Sequence, residues 1–234
     1  MSASRRQKRR WGRRLVWYVL GVVAVLALGT TAAVYLTGSR SGQPIILYVN
    51  QGNGIVNGSN FGSLISYASS HEFNTVFFQV YRQGTTLFSN GQLATFVNET
   101  HASNLKIFFA LYITNSSQKL PTSLYLLGED GMSLDASTLD LGTQEALLAS
   151  LKASYHGETA VTTTNMGSPL KPDLLILETY GSGTQQYIRH GIIASVEVFA
   201  TSSEQDYRSQ FQYALENSDG VMVFDYAGLL KSGY

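Results

Sequence analysis

Eight short apolar segments constrain the fold of this 234-residue chain more than any other feature of its sequence. Six are nearly continuous runs rich in Val, Ile, Phe and Tyr, which is typical of strands buried on both faces of a parallel sheet. Two weaker segments complete the set. The eight predicted strands span residues 44–50, 74–81, 105–113, 132–137, 159–165, 173–180, 192–200 and 219–226.

Helical periodicity occupies four of the intervals between these strands. Ser89 and Gln92 precede the second helical stripe at the spacing of a capping box, and Ser202 and Gln205 precede the fourth. Alternating strands and helices favour a parallel sheet with right-handed crossovers. The stripes are Phe61, Leu64, Ile65 and Ala68; Leu93, Phe96 and Val97; Leu147, Leu148, Leu151 and Tyr155; and Tyr207, Phe211, Ala214 and Leu215.

Eight strands in one alternating series predict an α/β fold of the (β/α)8 TIM-barrel type. Residues 43–234 fall just short of the roughly 200 residues at the lower edge for this fold, so the barrel should be compact or incomplete. Residues 166–172 are too few for a helix, and the chain end leaves no room for a full closing helix. An open, doubly wound sheet is the alternative, although no G-x-G-x-x-G motif follows the first strand.

An uncharged segment of twenty-two residues, 15–36, precedes this domain. As a helix it would extend about 33 Å, against a hydrocarbon core of roughly 30 Å. Trp17 and Tyr18 at one end and Tyr35 at the other lie where interfacial aromatic residues are expected. The sequence therefore predicts a single transmembrane anchor with the lipid bilayer as its partner, and a cleaved signal peptide is the alternative.

The charges of the chain are divided unevenly on the two sides of this segment. Seven Lys and Arg residues fall within positions 1–14, Arg40 is an eighth, and no acidic residue precedes Glu72. This pattern predicts a basic cytoplasmic head at 1–14, the anchor at 15–36, a linker at 37–43 and a domain at 44–234 outside the cell membrane. A basic run directly before an apolar span indicates orientation rather than nucleic-acid binding, so no nucleic acid is expected as a partner.

Three Asn-X-Ser/Thr triplets lie in the predicted outer domain. They begin at Asn57, Asn98 and Asn115. In a secreted protein such triplets are acceptors for N-linked glycans, which is consistent with the predicted topology.

The chemistry of the domain must rest on oxygen and nitrogen groups, because the chain has no cysteine. Disulfides, thiolate zinc sites, iron–sulfur clusters and cysteine nucleophiles are therefore excluded. His71, His101, His156 and His190 precede strands and share no metal-ligand spacing. No cofactor or metal is predicted, with a carboxylate site for Mg²⁺ or Ca²⁺ as the alternative.

Polar residues gather at the predicted carboxyl ends of the strands, where the site of a barrel enzyme lies. Acids beside tyrosines suit sugars, because sugar rings stack on aromatic faces and glycoside hydrolysis needs two carboxyl groups. The catalytic candidates are Glu178 and Asp225, with Glu197 and Asp135 behind them. The candidates for substrate binding are Tyr48, Asn50, Gln79, Tyr81, Arg82, Tyr112, Tyr180 and Tyr226.

Structural roles compete with catalysis at each of these acids, and at Glu178, inside an apolar strand, such a role would need a buried partner. Asp135 precedes Ala-Ser-Thr and could cap the turn before a helix. Glu197 lies inside its predicted strand, where it could form a deep ion pair with Arg82. Asp225 is predicted to share a strand face with Val221 and Val223.

Residues 73–84, FNTVFFQVYRQG, resemble the second strand of glycosyl-hydrolase-like (β/α)8 barrels, in which Asn-Thr is followed by apolar residues and Gln-Val-Arg. Residues 219–226, DGVMVFDY, resemble the last strand of carbohydrate-active barrels. The resemblance implies an acid at the end of the fourth strand and a nucleophile at the end of the seventh. By this count these residues are Asp135 and Glu197, whereas the strand-end argument favours Glu178 and Asp225.

The sequence thus predicts a membrane-anchored, glycoside-hydrolase-like protein acting on an extracellular polysaccharide or surface glycan. The alternative is a non-catalytic carbohydrate-binding or envelope-organising protein on the same barrel, since a fold alone does not determine a function.

Overall fold

The computed structural model describes residues 42–51, 56–179, 185–198 and 203–233. All of them except Gly42 belong to a compact unit, Gln43–Tyr234. The predicted basic head and transmembrane anchor, residues 1–36, lie outside the described residues. No helix within the described ranges is both long enough and apolar enough to cross a bilayer.

Eight parallel strands close into a barrel, as predicted. Each strand pairs with its neighbour along the barrel, and β1 pairs with both β2 and β9, which completes the closure. The remaining strand, β3, has two residues and pairs with β2. The strands are β1 (Ile45–Val49), β2 (Thr75–Arg82), β3 (Thr85–Thr86), β4 (Lys106–Tyr112), β5 (Gly131–Asp135), β6 (Glu158–Thr163), β7 (Leu174–Glu178), β8 (Ile193–Glu197) and β9 (Gly220–Phe224).

The sequence did not predict β3, which folds back antiparallel on the end of β2. The two residues between these strands, Gln83 and Gly84, both have positive φ angles, 49° and 90°. Two successive residues with positive φ form the tight turn that suits a two-residue hairpin. β3 therefore lies beside Tyr81 and Arg82 at the carboxyl end of β2.

Five α-helices pack outside the barrel: α1 (Phe61–Ser70), α2 (Asn90–Ala102), α3 (Leu141–Ser154), α4 (Glu204–Asn217) and α5 (Tyr226–Ser232). The predicted capping box at Ser89 and Gln92 is present at the start of α2. The predicted cap of α4 is wrong by one residue, because its N-cap is Ser203, whose side chain accepts from the amide of Asp206 at 3.2 Å.

The barrel is compact because three of its connections contain no α-helix in their described residues. Residues 164–173 have none, as predicted, and the link from β4 to β5 has only a short 3-10 helix, Thr122–Leu124. The link from β7 to β8 likewise contains the 3-10 helix Gln185–Tyr187. The closing helix, α5, is only seven residues long.

The alternation of each strand divides the apolar side chains between two cores. The larger core lies between the strands and the helices and includes Leu47, Phe78, Phe109 and Val223. The smaller core fills the barrel, and Gly131 leaves room for the ring of Phe108, with which a Cβ at that position would collide. Its buried members are Ile46, Tyr48, Phe77, Phe108, Ala110, Ala160, Ile176, Ile193 and Met222.

Candidate functional site at the carboxyl end of the barrel

Three of the four predicted acids face the barrel interior at the carboxyl ends of their strands. Asp135 is the last residue of β5, Glu178 of β7 and Glu197 of β8. Glu178 lies two residues beyond Ile176, a member of the inner core, so both side chains are on the same face of β7. The same alternation places Glu197 above Ser195 and Ile193. The barrel therefore brings three carboxyl groups to one opening.

Asp135 lies deepest of the three and is only 7% exposed. Its Oδ2 accepts a hydrogen bond from the hydroxyl of Tyr48 at 2.8 Å. Burial raises the pKa of Asp135 to about 6, the bond from Tyr48 works in the opposite direction, and the charge of Glu178 raises the pKa further. Asp135 also accepts from Ser137, so it supports the following turn as well, while the N-cap of α3 is Asp140.

Glu197 is half-buried and electrostatically linked to two other acids. Burial raises its pKa to about 7, and the negative charges of Asp225 and Glu178 add to this effect. A carboxyl group with a pKa near 7 can both give and take a proton at neutral pH. Glu197 therefore has the properties of a general acid or base.

The predicted position of Glu197 within its strand is wrong. The strand ends at Glu197 instead of continuing to residue 200, so the carboxyl group lies at the opening and not deep in the barrel. Arg82 does not neutralise it, because the four ion pairs among the described residues include no bond between Arg82 and Glu197. The Arg82 guanidinium instead lies over the ring of Tyr112, 5.5 Å from its centre.

Asp225 lies one residue beyond the end of β9. The prediction that Asp225 shares a strand face with Val221 and Val223 is wrong, because β9 ends at Phe224 and Asp225 is the N-cap of α5. Its peptide bond to Phe224 is cis. The Oδ1 of Asp225 accepts from the amide of Gly228 at 2.9 Å and caps α5. Asp225 thus combines a structural contact with proximity to Glu197.

Tyr48 of β1 and Gln79 of β2 support the acids, and Asn50 follows β1 on the same wall of the barrel. Burial, followed by the charge of Asp135, raises the pKa of Tyr48 well above its ordinary value, so the hydroxyl keeps its proton and donates a hydrogen bond to Asp135. Gln79 is buried, bonds to Tyr48 and accepts from the amide of Gln51 at 2.9 Å. Asn50 is half-buried and follows β1 on the face of Tyr48.

Two predicted binding residues do not join the acids. A register shift between Gln79 and Tyr81 turns Tyr81 outward, where its hydroxyl donates to the carbonyl of Lys119 at 2.9 Å. Tyr226 is also in the outer core, edge-on to the ring of Tyr67. Tyr180 lies outside the described residues.

Three buried hydroxyl groups inside the barrel were missed by the sequence analysis. Ser133, Thr162 and Ser195 are at most 2% exposed, and their hydroxyl oxygens have no hydrogen-bond partner among the described residues. Thr162 is the register partner of Asp135, and Ser195 is that of Glu178. Alternation was the available sequence indication, since Ser195 precedes Glu197 by two residues. Polar side chains therefore line the barrel interior next to the acids.

Within the described ranges, no three His, Asp or Glu side chains are placed to hold a metal ion together. His101 and His190 lie at the other end of the barrel, where they contact Asp130 and Asp219.

Comparisons with known proteins bear on the fold alone. No family model and no curated protein matches the sequence. One similar structure contains the GH20 catalytic modules of the pneumococcal exo-β-D-N-acetylglucosaminidase StrH. It has a TM-score of 0.51 and 7% identity, with 79% of each chain covered.

Two other structures are similar to the same extent. CpGH84B has a TM-score of 0.54 and 7% identity over 77% of this chain, which spans 44% of the CpGH84B chain. The HpcH/HpaI aldolase from Desulfitobacterium hafniense DCB-2 has a TM-score of 0.52 and 5% identity over 85% of this chain and 91% of its own. The chain thus has a TIM-type barrel similar to those of glycoside hydrolases and of an aldolase.

Proposed function

We propose that this protein is a glycoside hydrolase acting on an extracellular polysaccharide or surface glycan. The observation that carries the proposal is the unequal pair formed by Glu197 and Asp225 at the barrel opening. Glu197 has a pKa of about 7, raised by burial and by the charges of Asp225 and Glu178, whereas Asp225 accepts a hydrogen bond from the backbone amide of Gly228 at 2.9 Å. Glycoside hydrolysis uses one carboxyl group that carries a proton and one that is ionised.

The roles in this mechanism follow from the two environments. Glu197 in its protonated form donates to the glycosidic oxygen as the bond to the leaving sugar breaks. Asp225 or Glu178 supplies the second carboxyl group, which attacks the anomeric carbon directly or activates a water molecule. This assignment gives Glu197 the acid role, although the family resemblance implies that the residue at the end of the seventh barrel strand is the nucleophile.

The sugar would be held by the polar groups around the acids. Tyr112 and Arg82 form a stacked pair at the end of β4 and β2, and both are half-buried. Aromatic and guanidinium planes at the rim suit sugar rings and hydroxyls. Asn50 and Gln79 offer amide groups on the neighbouring wall of the barrel.

The location of this activity rests on the amino-terminal sequence. Residues 15–36 would anchor the protein in the cell membrane, and the basic residues at 1–14 would keep the amino terminus in the cytoplasm. The barrel would then act outside the cell, close to the membrane surface.

A non-catalytic carbohydrate-binding protein is the second candidate. Two of the acids have structural contacts, which favours this candidate: Asp135 accepts from Tyr48, and Asp225 caps α5. The stacked Arg82 and Tyr112 pair would serve binding equally well. An envelope-organising role would use the same opening without hydrolysis.

A substrate screen with the full-length chain separates the two candidates. Release of reducing ends from a panel of polysaccharides and aryl glycosides is measured for the wild type and for Glu197→Gln, Asp225→Asn and Glu178→Gln. We expect turnover to fall at least about 100-fold in Glu197→Gln and Asp225→Asn. Glu158→Gln is the matched control, because Glu158 is an exposed acid at the opposite end of the barrel.

Unchanged turnover in both Glu197→Gln and Asp225→Asn would overturn the site assignment. Saturable binding of a glycan without turnover on any substrate would favour the binding protein.

A further inference from the structure

The three Asn-X-Ser/Thr triplets occupy different structural settings. Two lie in loops and one lies within a helix. The fold therefore distinguishes asparagines that the sequence motif alone does not. Asn57, Asn98 and Asn115 are all exposed. The settings therefore differ in the backbone and in the hydroxyl residue at the third position.

The triplets at Asn57 and Asn115 have nearly the same geometry. The hydroxyl of Ser59 donates to Asn57 Oδ1 at 2.6 Å, and the amide of Ser59 donates to the same oxygen at 2.9 Å. The corresponding distances from Ser117 to Asn115 Oδ1 are 3.0 and 2.9 Å. All residues of both triplets are exposed. In each case the asparagine, the serine and the intervening backbone are accessible from solvent.

The triplet at Asn98 is enclosed by the fold. It lies inside α2, where the backbone is committed to helical hydrogen bonds. Thr100 is fully buried, and its hydroxyl donates to the carbonyl of Phe96 at 2.7 Å. An enzyme that must contact both the asparagine amide and the threonine hydroxyl cannot reach the second group without opening the helix.

We propose that Asn57 and Asn115 are acceptors for N-linked oligosaccharide and that Asn98 is not. The donor would be an oligosaccharide on a lipid diphosphate. The bond between the sugar C1 and the diphosphate oxygen breaks, a bond from Asn Nδ2 to C1 forms, and the amide proton leaves with the diphosphate. This inference rests on the proposed location of the barrel outside the membrane, and it is independent of hydrolytic activity.

Both acceptors lie at the same end of the barrel as the acids. Asn57 is in the loop after β1, and Asn115 is in the loop after β4, and these loops leave the carboxyl ends of their strands. Glycans at these positions would stand beside the opening. They would hinder the approach of large, folded macromolecules more than that of an extended glycan chain or a small sugar.

The test uses the full-length chain made in yeast, whose secretory membranes carry the transferase. Peptide mass spectrometry after enzymatic deglycosylation in ¹⁸O-water marks each modified asparagine. Protease protection of the barrel in sealed microsomes is measured on the same preparation. We expect marks at Asn57 and Asn115 and none at Asn98. Single Asn57→Gln and Asn115→Gln variants should each lose one increment of glycan mass, whereas Asn98→Gln should lose none.

Serine variants provide the matched controls. Ser59→Ala and Ser117→Ala keep each asparagine and remove the hydroxyl, so we expect the mark at that site to disappear. Ser59→Thr and Ser117→Thr should retain it. Loss of the mark in the threonine variants would contradict the role of the hydroxyl.

The remaining outcomes separate this inference from the proposed function. A protected barrel without marks at Asn57 and Asn115 would overturn the glycan inference and leave the proposed hydrolysis intact. A barrel on the cytosolic side would overturn both the location and the inference. A mark at Asn98 would overturn the discrimination by structure, and absence of turnover alone would affect only the proposed function.

Discussion

The two ends of the barrel use acids in opposite ways. At the amino ends of the strands, three acids each accept a hydrogen bond from the backbone amide of a neighbouring strand or turn, whereas Glu158 contacts Lys106. The side chain of Asn74 performs the same task between β1 and β2. The contacts are Asp130 with the amide of Ile107 at 2.8 Å, Asp173 with that of Thr159 at 2.7 Å and Asp219 with that of Gly191 at 2.9 Å.

At the carboxyl ends, Asp135 and Asp225 also accept hydrogen bonds, but here the acids lie close enough to repel one another. Glu178 raises the pKa of both Asp135 and Glu197, in each case adding to the effect of burial. At the other end the backbone bond from Thr159 lowers the pKa of Asp173. Acids that stabilise a fold are satisfied by hydrogen-bond donors, whereas acids that repel each other cost stability and need another reason to be present. The difference supports chemistry at the carboxyl end.

The difference between the two ends of the barrel predicts its largest effect on activity at Glu197. If it donates a proton, activity on a substrate found in the screen should fall as the pH rises above about 7, the pKa of this group. Glu197→Gln should lower kcat by about 10²–10⁴-fold and remove the alkaline limb of the pH profile. An alkaline limb unchanged in the variant would assign it to another group.

Stability provides a readout of the same residue that needs no substrate. The pKa of Glu197 in the folded protein, about 7, lies above its ordinary value of 4.5, so the group favours folding while protonated. Its contribution is lost as the pH rises from about 4.5 to beyond 7. The Tm of Glu197→Gln should therefore exceed that of the wild type at pH 8 by more than it does at pH 4.

Asp130 should behave in the opposite way. Asp130→Ala removes the acceptor of the Ile107 amide and the contact with His101 at 2.9 Å. We expect the free energy of unfolding to fall by about 2–3 kcal/mol, because a backbone amide loses its partner. Chemical denaturation measures the change, and turnover at the opening should be unaffected. A variant as stable as the wild type would contradict a structural role for this end.

The sequence predicted the fold well because its information is local. All eight barrel strands, the four helical stripes and the missing helix before β7 follow from hydrophobic periodicity and segment length. The β3 hairpin was missed, since it depends on the backbone angles of Gln83 and Gly84. The ends of strands were predicted less accurately. The apolar residue Val198 continues the strand pattern, although β8 ends at Glu197.

The candidate site was predicted less completely, because it depends on which face of a strand each side chain occupies. Counting by twos through β2 places Tyr81 inside the barrel, whereas the bulge turns it outward. Asp225 illustrates the same limit, since it leaves the face of Val223 once β9 has ended. Environments such as the raised pKa of Glu197 arise from neighbours far apart in the sequence.

A smaller effect, on stability, is expected when the hydrogen bond from Tyr48 to Asp135 is removed. Tyr48→Phe removes the donor to Asp135, and the pKa of Asp135 should then rise above about 6. Because the bond stabilises the ionised carboxyl group, the free energy of unfolding should fall by about 1–2 kcal/mol at pH 8 and by less at pH 4. Tyr81→Phe is the matched control, since its hydroxyl bonds to a carbonyl and its loss should not vary over this pH range. If Tyr48→Phe lowers the free energy of unfolding equally at both pH values, the bond from Tyr48 does not act on the ionised form of Asp135.

The smallest expected effect compares two threonines of one strand. Thr159 and Thr162 are both buried in β6, but the hydroxyl of Thr159 donates to Asp173 at 2.8 Å and that of Thr162 has no partner among the described residues. Thr159→Val should therefore lower the free energy of unfolding by about 1 kcal/mol, whereas Thr162→Val should leave it unchanged or raise it by up to about 1 kcal/mol. Urea denaturation of both variants measures the difference. A loss in Thr162→Val as large as that in Thr159→Val would indicate that the hydroxyl under the acids stabilises the fold. A stabilised Thr162→Val with reduced turnover would show that this end of the barrel gives up stability for activity.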